Sequence, residues 1–393
     1  MNDAALRSRT RIYDIVLFGA TGFTGALTAE YLTQHAPKEL RWAIAGRSRS
    51  KLEAQKQRLL ELNAHSASVG LIEAQLDDAA SLQRMAAQTC VLLSTVGPFV
   101  DYGEPVVRAC IAEGTDYLDS TGELQFLELL WARHAQAAVE RGVRLVPSCG
   151  FDAIPADLGA LFSVRQMPRD RPIQLAGYMS LRAQFSGGTE RSALKTWIPR
   201  QRIAVPELQP RAGRRVQLIQ DASGWSKLMR SWTTPLETVD GPIVQRSAST
   251  LEDYGPDFTY SHNMAHASIF HVLAAAIVFG SVRFLMRFEP WRAFFLKAVK
   301  PAGQGPTPEQ RAQSWFKLRF VVRSGERELQ TEVSGGDPGY TETSKMLAQA
   351  AMCLALDREA LPVAAGVLTP AQAMGDRLLA RLQAAGLQFR VLT

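Results

Sequence analysis

The first 150 residues alternate short apolar runs with stretches of helical spacing. Apolar runs of four to six residues fall at 13–18, 42–45, 69–74, 90–93 and 143–147, with a weaker one at 117–118. Between them, 24–35, 50–63, 78–87 and 103–113 place apolar residues three and four apart. Runs this short with no internal alternation predict strands covered on both faces, which is the environment of a parallel sheet. Strand–helix alternation at this spacing then gives βαβ units and a doubly wound sheet.

After Gly150 the pattern changes. Residues 174–183 and 315–333 read as strands, with Phe316, Leu318 and Phe320 on one face and Lys317 and Arg319 on the other. Ser324-Gly325-Glu326-Arg327 predicts a tight hairpin turn. Residues 200–260 are rich in Arg, Gln, Ser and Thr and predict loops and short strands. The stretch 301–308 (PAGQGPTP) reads as a linker. An amphipathic helix is expected over 341–357 and another over 370–384. The domain boundaries expected from this are 1–150, 151–339 and 340–393.

The chain has 393 residues, 46% apolar and 21% charged, which fits a folded protein of two domains. Its 44 Lys+Arg against 38 Asp+Glu are interspersed, which argues against a nucleic-acid partner. Cys90, Cys110, Cys149 and Cys353 form no CxxC pair, so neither a disulfide framework nor a zinc cluster is expected. The first eleven residues lack an apolar run, and a cytoplasmic protein without a signal peptide is expected.

Candidate chemistry begins at Gly19-Ala20-Thr21-Gly22-Phe23-Thr24-Gly25, between the first strand and its helix. Gly19 suits the tight turn, Gly22 a close approach of backbone to a pyrophosphate, and Gly25 close helix packing. The second strand ends in Arg47-Ser48-Arg49-Ser50-Lys51, with no acid until Glu53. Arg47, Ser48 and Lys51 there suit the 2′-phosphate of NADP(H) rather than the free ribose of NAD. The fourth strand runs into Thr95-Val96-Gly97-Pro98, expected beside the nicotinamide. Gly150-Phe151-Asp152 enters the same crevice, where Asp152 is either catalytic or a helix cap.

No Ser–Tyr–Lys dehydrogenase set is readable, since Thr121 stands four residues after Tyr117. The candidate proton donors are Asp152, Tyr178, Tyr260 and Tyr102. His262 and His266 stand four apart in what reads as a helix start, without a third ligand, and no metal site is expected. Residues 267–300 combine an apolar run with Phe284, Phe288, Trp291, Phe294 and Phe295. Arg283, Arg287, Arg292, Lys297 and Lys300 are interleaved with them, against the single acid Glu289. Two readings stay open: a segment lying in a membrane interface, or a helix covered at a homodimer contact or over a substrate tunnel.

GATGFTG, AGRSRSKL, TVGPFVDYGEPVVRACIAEGTDYLDSTGE, CGFDAIPADLG, SGGTERS and GGDPGYTETSKMLAQAA together resemble the saccharopine dehydrogenase-like oxidoreductases, in particular the trans-acting enoyl reductase branch. The resemblance spans nearly the whole chain and is thinnest over 200–260. It implies a Rossmann domain closed by the C-terminal helices, with an α+β domain inserted between and a mostly antiparallel sheet in it. It also implies NADPH-dependent reduction of a carbon–carbon double bond in a hydrophobic, long-chain acyl or polyketide-type lipid. The GxxGxxG turn departs from the usual GxGxxG, against a saccharopine-forming enzyme. Two alternatives are an imine or amino-acid reductase using Arg182, Arg191 and Lys195 for carboxylates, and a non-catalytic NADP-binding protein on lipid surfaces.

Overall fold

The computed structural model describes residues 11–198, 203–211, 213–299 and 304–392. Lys300 and the start of the 301–308 linker lie outside them. The chain opens with β1 (Tyr13–Phe18), α1 (Phe23–His35), β2 (Trp42–Gly46), α2 (Arg49–Leu62), β3 (Gly70–Glu73) and α3 (Ala79–Ala87). It continues with β4 (Thr89–Ser94), α4 (Phe99–Glu113), β5 (Asp116–Asp119), α5 (Leu124–Arg133), α6 (Ala135–Arg141) and β6 (Arg144–Val146). All pair in parallel, and the two faces are separately packed. Ile15, Leu17, Ile44 and Val91 share one core with the inner faces of α1 and α2. Val16, Phe18, Ala43 and Leu92 share another with α3, α4 and α5. Burial on both faces is why these strands lack alternation.

The second part comprises α7 (Ile154–Val164), β7 (Ile173–Arg182), α8 (Gly187–Thr196), β8 (Arg215–Leu218), β9 (Gly224–Ser226), β10 (Ser231–Pro235) and α9 (Asp240–Thr250). After these come β11 (Asp257–His266), α10 (Ile269–Leu285), α11 (Glu289–Ala298), α12 (Pro308–Ala312), β12 (Trp315–Ser324) and β13 (Arg327–Gly335). The chain ends in α13 (Thr343–Leu356), β14 (Gly366–Val367), α14 (Pro370–Ala384) and β15 (Gln388–Val391). The first sheet runs β14-β6-β5-β4-β1-β2-β3, the second β15-β13-β12-β7-β11-β10-β9 with β8 beside β11. In the second sheet only β7–β11 and β11–β8 are parallel, so it is mostly antiparallel. The hairpin turn falls where the sequence placed it, Ser324 pairing with Arg327.

Three local expectations are corrected. The stretch 200–260 holds a full helix, α9, with Ile243, Val244 and Ala248 buried. Its Ser and Thr residues hide the apolar stripe. The SHNMAHAS segment is the end of strand β11, not a helix start; the helix begins at Ile269, capped by Ser268, which accepts from His271 N. Finally, α13 is buried almost all round rather than amphipathic. It packs on α1, β4 and β5 as well as α14, and small residues at 348, 350 and 351 allow that close approach. Its one central polar side chain, Gln349, donates to the Tyr31 hydroxyl at 3.0 Å.

Two fully buried carboxyls tie these layers together. Asp119 accepts from Tyr117 Oη and Thr121 N at 2.8 Å each and from Ser148 N at 2.9 Å. Asp157 accepts from Ser247 Oγ at 2.5 Å and Ala371 N at 2.8 Å. Burial nevertheless pushes both carboxyls up to about 7. The folded state therefore holds protons that ordinary carboxyls, near ~4, have released in the unfolded chain. Stability from these groups is complete below pH ~4 and is lost as pH rises through ~7. Buried His262, pushed down to about 4, has the opposite slope, but only up to its unfolded pKa of ~6.5. The urea midpoint is thus expected to fall between pH ~6.5 and ~8; a midpoint that rises across this window contradicts the assignment.

Candidate active site

The strand order reverses between β1 and β4, so the crevice opens where these two strands end. Thr95 closes its floor, donating its N–H to Phe18 O at 2.9 Å and its hydroxyl to the same oxygen at 3.2 Å. Gly19 has φ +92°, and a Cβ on Gly25 would stand 2.2 Å from the Gly19 carbonyl oxygen and 2.8 Å from Thr95 Oγ1. Only glycine fits either place. Gly22 caps α1 with no side-chain acceptor, which leaves the first-turn amides of Phe23, Thr24 and Gly25 directed outward at the positive helix end. That cradle fits a dinucleotide pyrophosphate.

At the end of β2, Thr21 Oγ1 lies 3.9 Å from where a Gly46 Cβ would stand, so the turn and the second strand meet here. Arg47 and Lys51 are exposed, and neither forms an ion pair among the described residues. Arg49 instead pairs with Glu53 at 2.9 Å, which occupies the first acid that follows in α2. Ser48 caps α2, and its hydroxyl lies 3.2 Å from that of Ser50. Arg47, Ser48 and Lys51 therefore present two free cations and a hydroxyl, a donor set suited to a phosphate monoester.

The C-terminal segments reach back over the glycine turn. The Phe23 ring meets Tyr340 edge-on at 4.8 Å. The Tyr340 hydroxyl lies 3.0 Å from Thr189 Oγ1 and accepts from Ser186 N at the start of α8. Glu123 fixes the opposite wall. It is buried and accepts from Phe99 N at 3.0 Å, Val100 N at 2.9 Å and Ser192 Oγ at 2.9 Å. It thereby ties the Val96-Gly97-Pro98 turn to α8. Sequence reasoning missed Glu123; the signal available was only an acid directly before the helical stretch 124–133, and its burial is a product of the fold.

A cavity of about 1600 Å³ joins the two domains. It is larger than an ordinary small-ligand cleft of ~300–1,000 Å³. Its walls include Phe23, Gly97, Asp152, Tyr260, His262 and Asp240. Apolar side chains such as Met179, Leu181, Trp197, Ile203 and Leu236 line much of the rest. Asp152 abuts Gly122, where a Cβ would come within 2.6 Å of its Oδ1. Its carboxyl is pushed up to about 7 by burial first and by the charge of Asp240 second. Asp240 is itself raised to about 7 by burial. His262 Nδ1 and the Tyr260 hydroxyl share a hydrogen bond of 2.7 Å, and His262 Nε2 stands 3.6 Å from Asp240 Oδ2. The four groups form a shielded, proton-holding wall.

The sequence candidates divide accordingly. Gly22, Phe23, Thr24, Gly97, Asp152 and Tyr260 line the cavity. Thr95, Val96 and Pro98 support its floor, while Gly19, Thr21 and Gly25 shape the turn. Two proton-donor candidates are corrected. Tyr102 is exposed on α4, and Tyr178 alternates with the cavity residues Met179 and Leu181 along β7, which turns it to the other face of the sheet. Asp152 does not cap a helix: α7 starts after Ala153 with no side-chain cap. His266 bonds Thr234 Oγ1 at 2.9 Å at the far end of β11.

Residues 15–146 match the family of saccharopine dehydrogenase NADP-binding domains, so the cofactor of the parallel-sheet domain is NADP(H). A trans-acting enoyl reductase of Mycobacterium ulcerans is 34% identical, covering 97% of this chain and 98% of its own. A saccharopine dehydrogenase-like oxidoreductase of Bos taurus is 31% identical, covering 99% of each. Among solved structures, apo saccharopine dehydrogenase (L-Glu forming) of Saccharomyces cerevisiae superposes with a TM-score of 0.57 at 12% identity, over 97% of this chain and 100% of that one. That likeness concerns the fold alone.

Proposed function

This chain belongs to the saccharopine dehydrogenase-like NADP-dependent oxidoreductases, and we propose that within this family it reduces the carbon–carbon double bond of a hydrophobic α,β-unsaturated acyl substrate. The observation that carries the reading is the make-up of this one cavity. It is lined by residues of the glycine turn and Gly97, by Asp152, and by apolar side chains. Bound NADPH supplies the hydride. Phe23–Gly25 hold the pyrophosphate at the helix end, and Arg47 with Lys51 holds the 2′-phosphate. Asp152, neutral for much of the time near pH 7, would give its proton to the α-carbon as the C=C π bond breaks and the β-carbon takes the hydride, and would be reprotonated from water. The apolar walls exclude water and seat the chain.

The amino-acid reductase alternative needs cations placed for two carboxylates. Lys195 is paired with Asp101, Arg182 is exposed at the end of β7, and neither they nor Arg191 line the cavity. The relatives' names favour the same choice. The test follows NADPH oxidation with a trans-2-enoyl thioester series of increasing chain length, against 2-oxo acid plus amino acid. Oxidation rising with chain length is expected. Turnover of only the amino-acid pair, or tight NADPH binding with no oxidation by any enoyl thioester, rejects the reading.

The cofactor site carries its own prediction. Arg47→Ala is expected to weaken NADPH binding at least about tenfold, or ~1.4 kcal/mol, with NADH binding unchanged. Titration of protein fluorescence with each nucleotide measures both. Equal loss for the two nucleotides removes Arg47 from the 2′-phosphate.

A further inference from the structure

Neither α10 nor α11 contains a single buried residue. Phe270, Ile277, Phe279, Phe284, Trp291 and Phe294 are between 44 and 77% exposed. The pair is held to the rest of the chain at few points: Met286 is buried in the turn between them, and the Phe279 ring meets Trp197 edge-on at 5.9 Å. A folded protein does not leave so large an aromatic and aliphatic face in water. Something covers it.

Charge decides between the occupants. Arg283, Arg287, Arg292 and Lys297 are interleaved with these aromatics along the two helices and the turn between them, with Glu289 the only acid in 267–299. A two-fold contact with a second copy brings the same patch onto itself, setting these cations against one another with one acid per copy to offset them. An anionic lipid surface takes aromatic rings and cations together. Spanning the bilayer is excluded for these helices: no helix among the described residues is long and apolar enough to cross a membrane. The 17 residues of α10 reach only ~26 Å at ~1.5 Å per residue. The helices must lie in the plane of the interface.

Arg283 and Arg287 also line the large cavity, so its wall and the apolar face share two residues. We propose that α10 and α11 dock reversibly on an anionic bilayer surface, and that the cavity opens there. An acyl substrate then passes from lipid into the cavity without crossing water. The docking stands independently of the reductase reading; only the entrance role rests on that reading.

The test uses the full chain loaded with NADPH and sedimented with vesicles of phosphatidylcholine alone or mixed with phosphatidylserine. Partition onto the mixed vesicles at least about tenfold above the neutral ones is expected, with release by added salt. Replacing Arg283, Arg287 and Lys297 together by Gln should lower that partition on the order of 100-fold, at roughly 1 kcal/mol per cation. A second variant, Phe270→Glu with Ile277→Glu and Phe294→Glu, should stay in the supernatant. All six positions are exposed, and unchanged NADPH affinity verifies that both variants fold. Wild-type protein that remains in the supernatant with phosphatidylserine at low salt overturns the docking. So does equal binding to both vesicle types, or a concentration-dependent dimer abolished by the Glu variant. None of these readouts uses the enoyl substrate, so failure of the reductase reading leaves them intact.

Discussion

Replacing Asp152 by Asn is expected to lower kcat for enoyl reduction by about 100- to 10,000-fold, the usual contribution of a positioned general acid, with NADPH affinity unchanged. Asn keeps the shape that Gly122 accommodates but has no acidic proton to transfer. The pH profile separates this from a structural effect. The acid must be protonated, so kcat should fall as pH rises through about 7. Asp240 contributes to that elevated value through its charge. Asp240→Asn should therefore ease ionisation of Asp152 and move the basic limb to lower pH. A merely structural role for Asp152 would weaken nucleotide binding or lower the urea midpoint and leave the limb in place. Wild-type kcat in Asp152→Asn transfers the proton-donor role elsewhere, with the Tyr260 hydroxyl and its 2.7 Å bond to His262 the next group to test.

The parallel sheet was legible because its strands are buried on both faces, so apolar runs mark them without ambiguity. β1 occupies 13–18, as the pattern predicts. β14 was not legible: two residues, Gly366 and Val367, carry no periodic signal, and their place beside β6 is set by chain far away. The α9 helix and strand β11 were hidden for a different reason. Their buried positions mix apolar residues with Ser247, Ser249, His262 and Asn263, which breaks the apolar period. The same holds for the candidate site. The glycine turn is a local device and is readable from spacing, whereas the grouping of Asp152 with Asp240 and His262 brings together segments about a hundred residues apart. Tyr260 could be named as a donor from its chemistry, but its partner His262 was masked by the helical reading of that stretch. Composition left the surroundings of α10 and α11 open between lipid and a covering contact, and only the fold shows that no residue of either helix is buried.

Ending the chain at Gly335 is expected to abolish folding of the nucleotide-binding domain, although its sequence up to residue 150 is left intact. The lost segment carries α13, whose Met346, Leu347, Met352 and Leu354 are buried against α1 and the β4 and β5 strands. At about 1.5–3 kcal/mol for each large apolar side chain, these four alone contribute on the order of 10 kcal/mol, comparable to the total stability of a domain. Their removal would also bare the facing positions Leu32, Val91, Leu93 and Leu118. Two sheet edges open as well, because β14 leaves β6 and β15 leaves β13. A milder variant grades the effect: Leu347→Ala should cost about 2–5 kcal/mol in urea unfolding and leave bound nucleotide untouched, since the side chain lies in the core rather than in the crevice. If the nucleotide-binding domain were complete by residue 150, the shortened chain would remain soluble and bind NADPH with undiminished affinity. The packing of α13 requires the opposite, an aggregated chain that fails to retain the nucleotide.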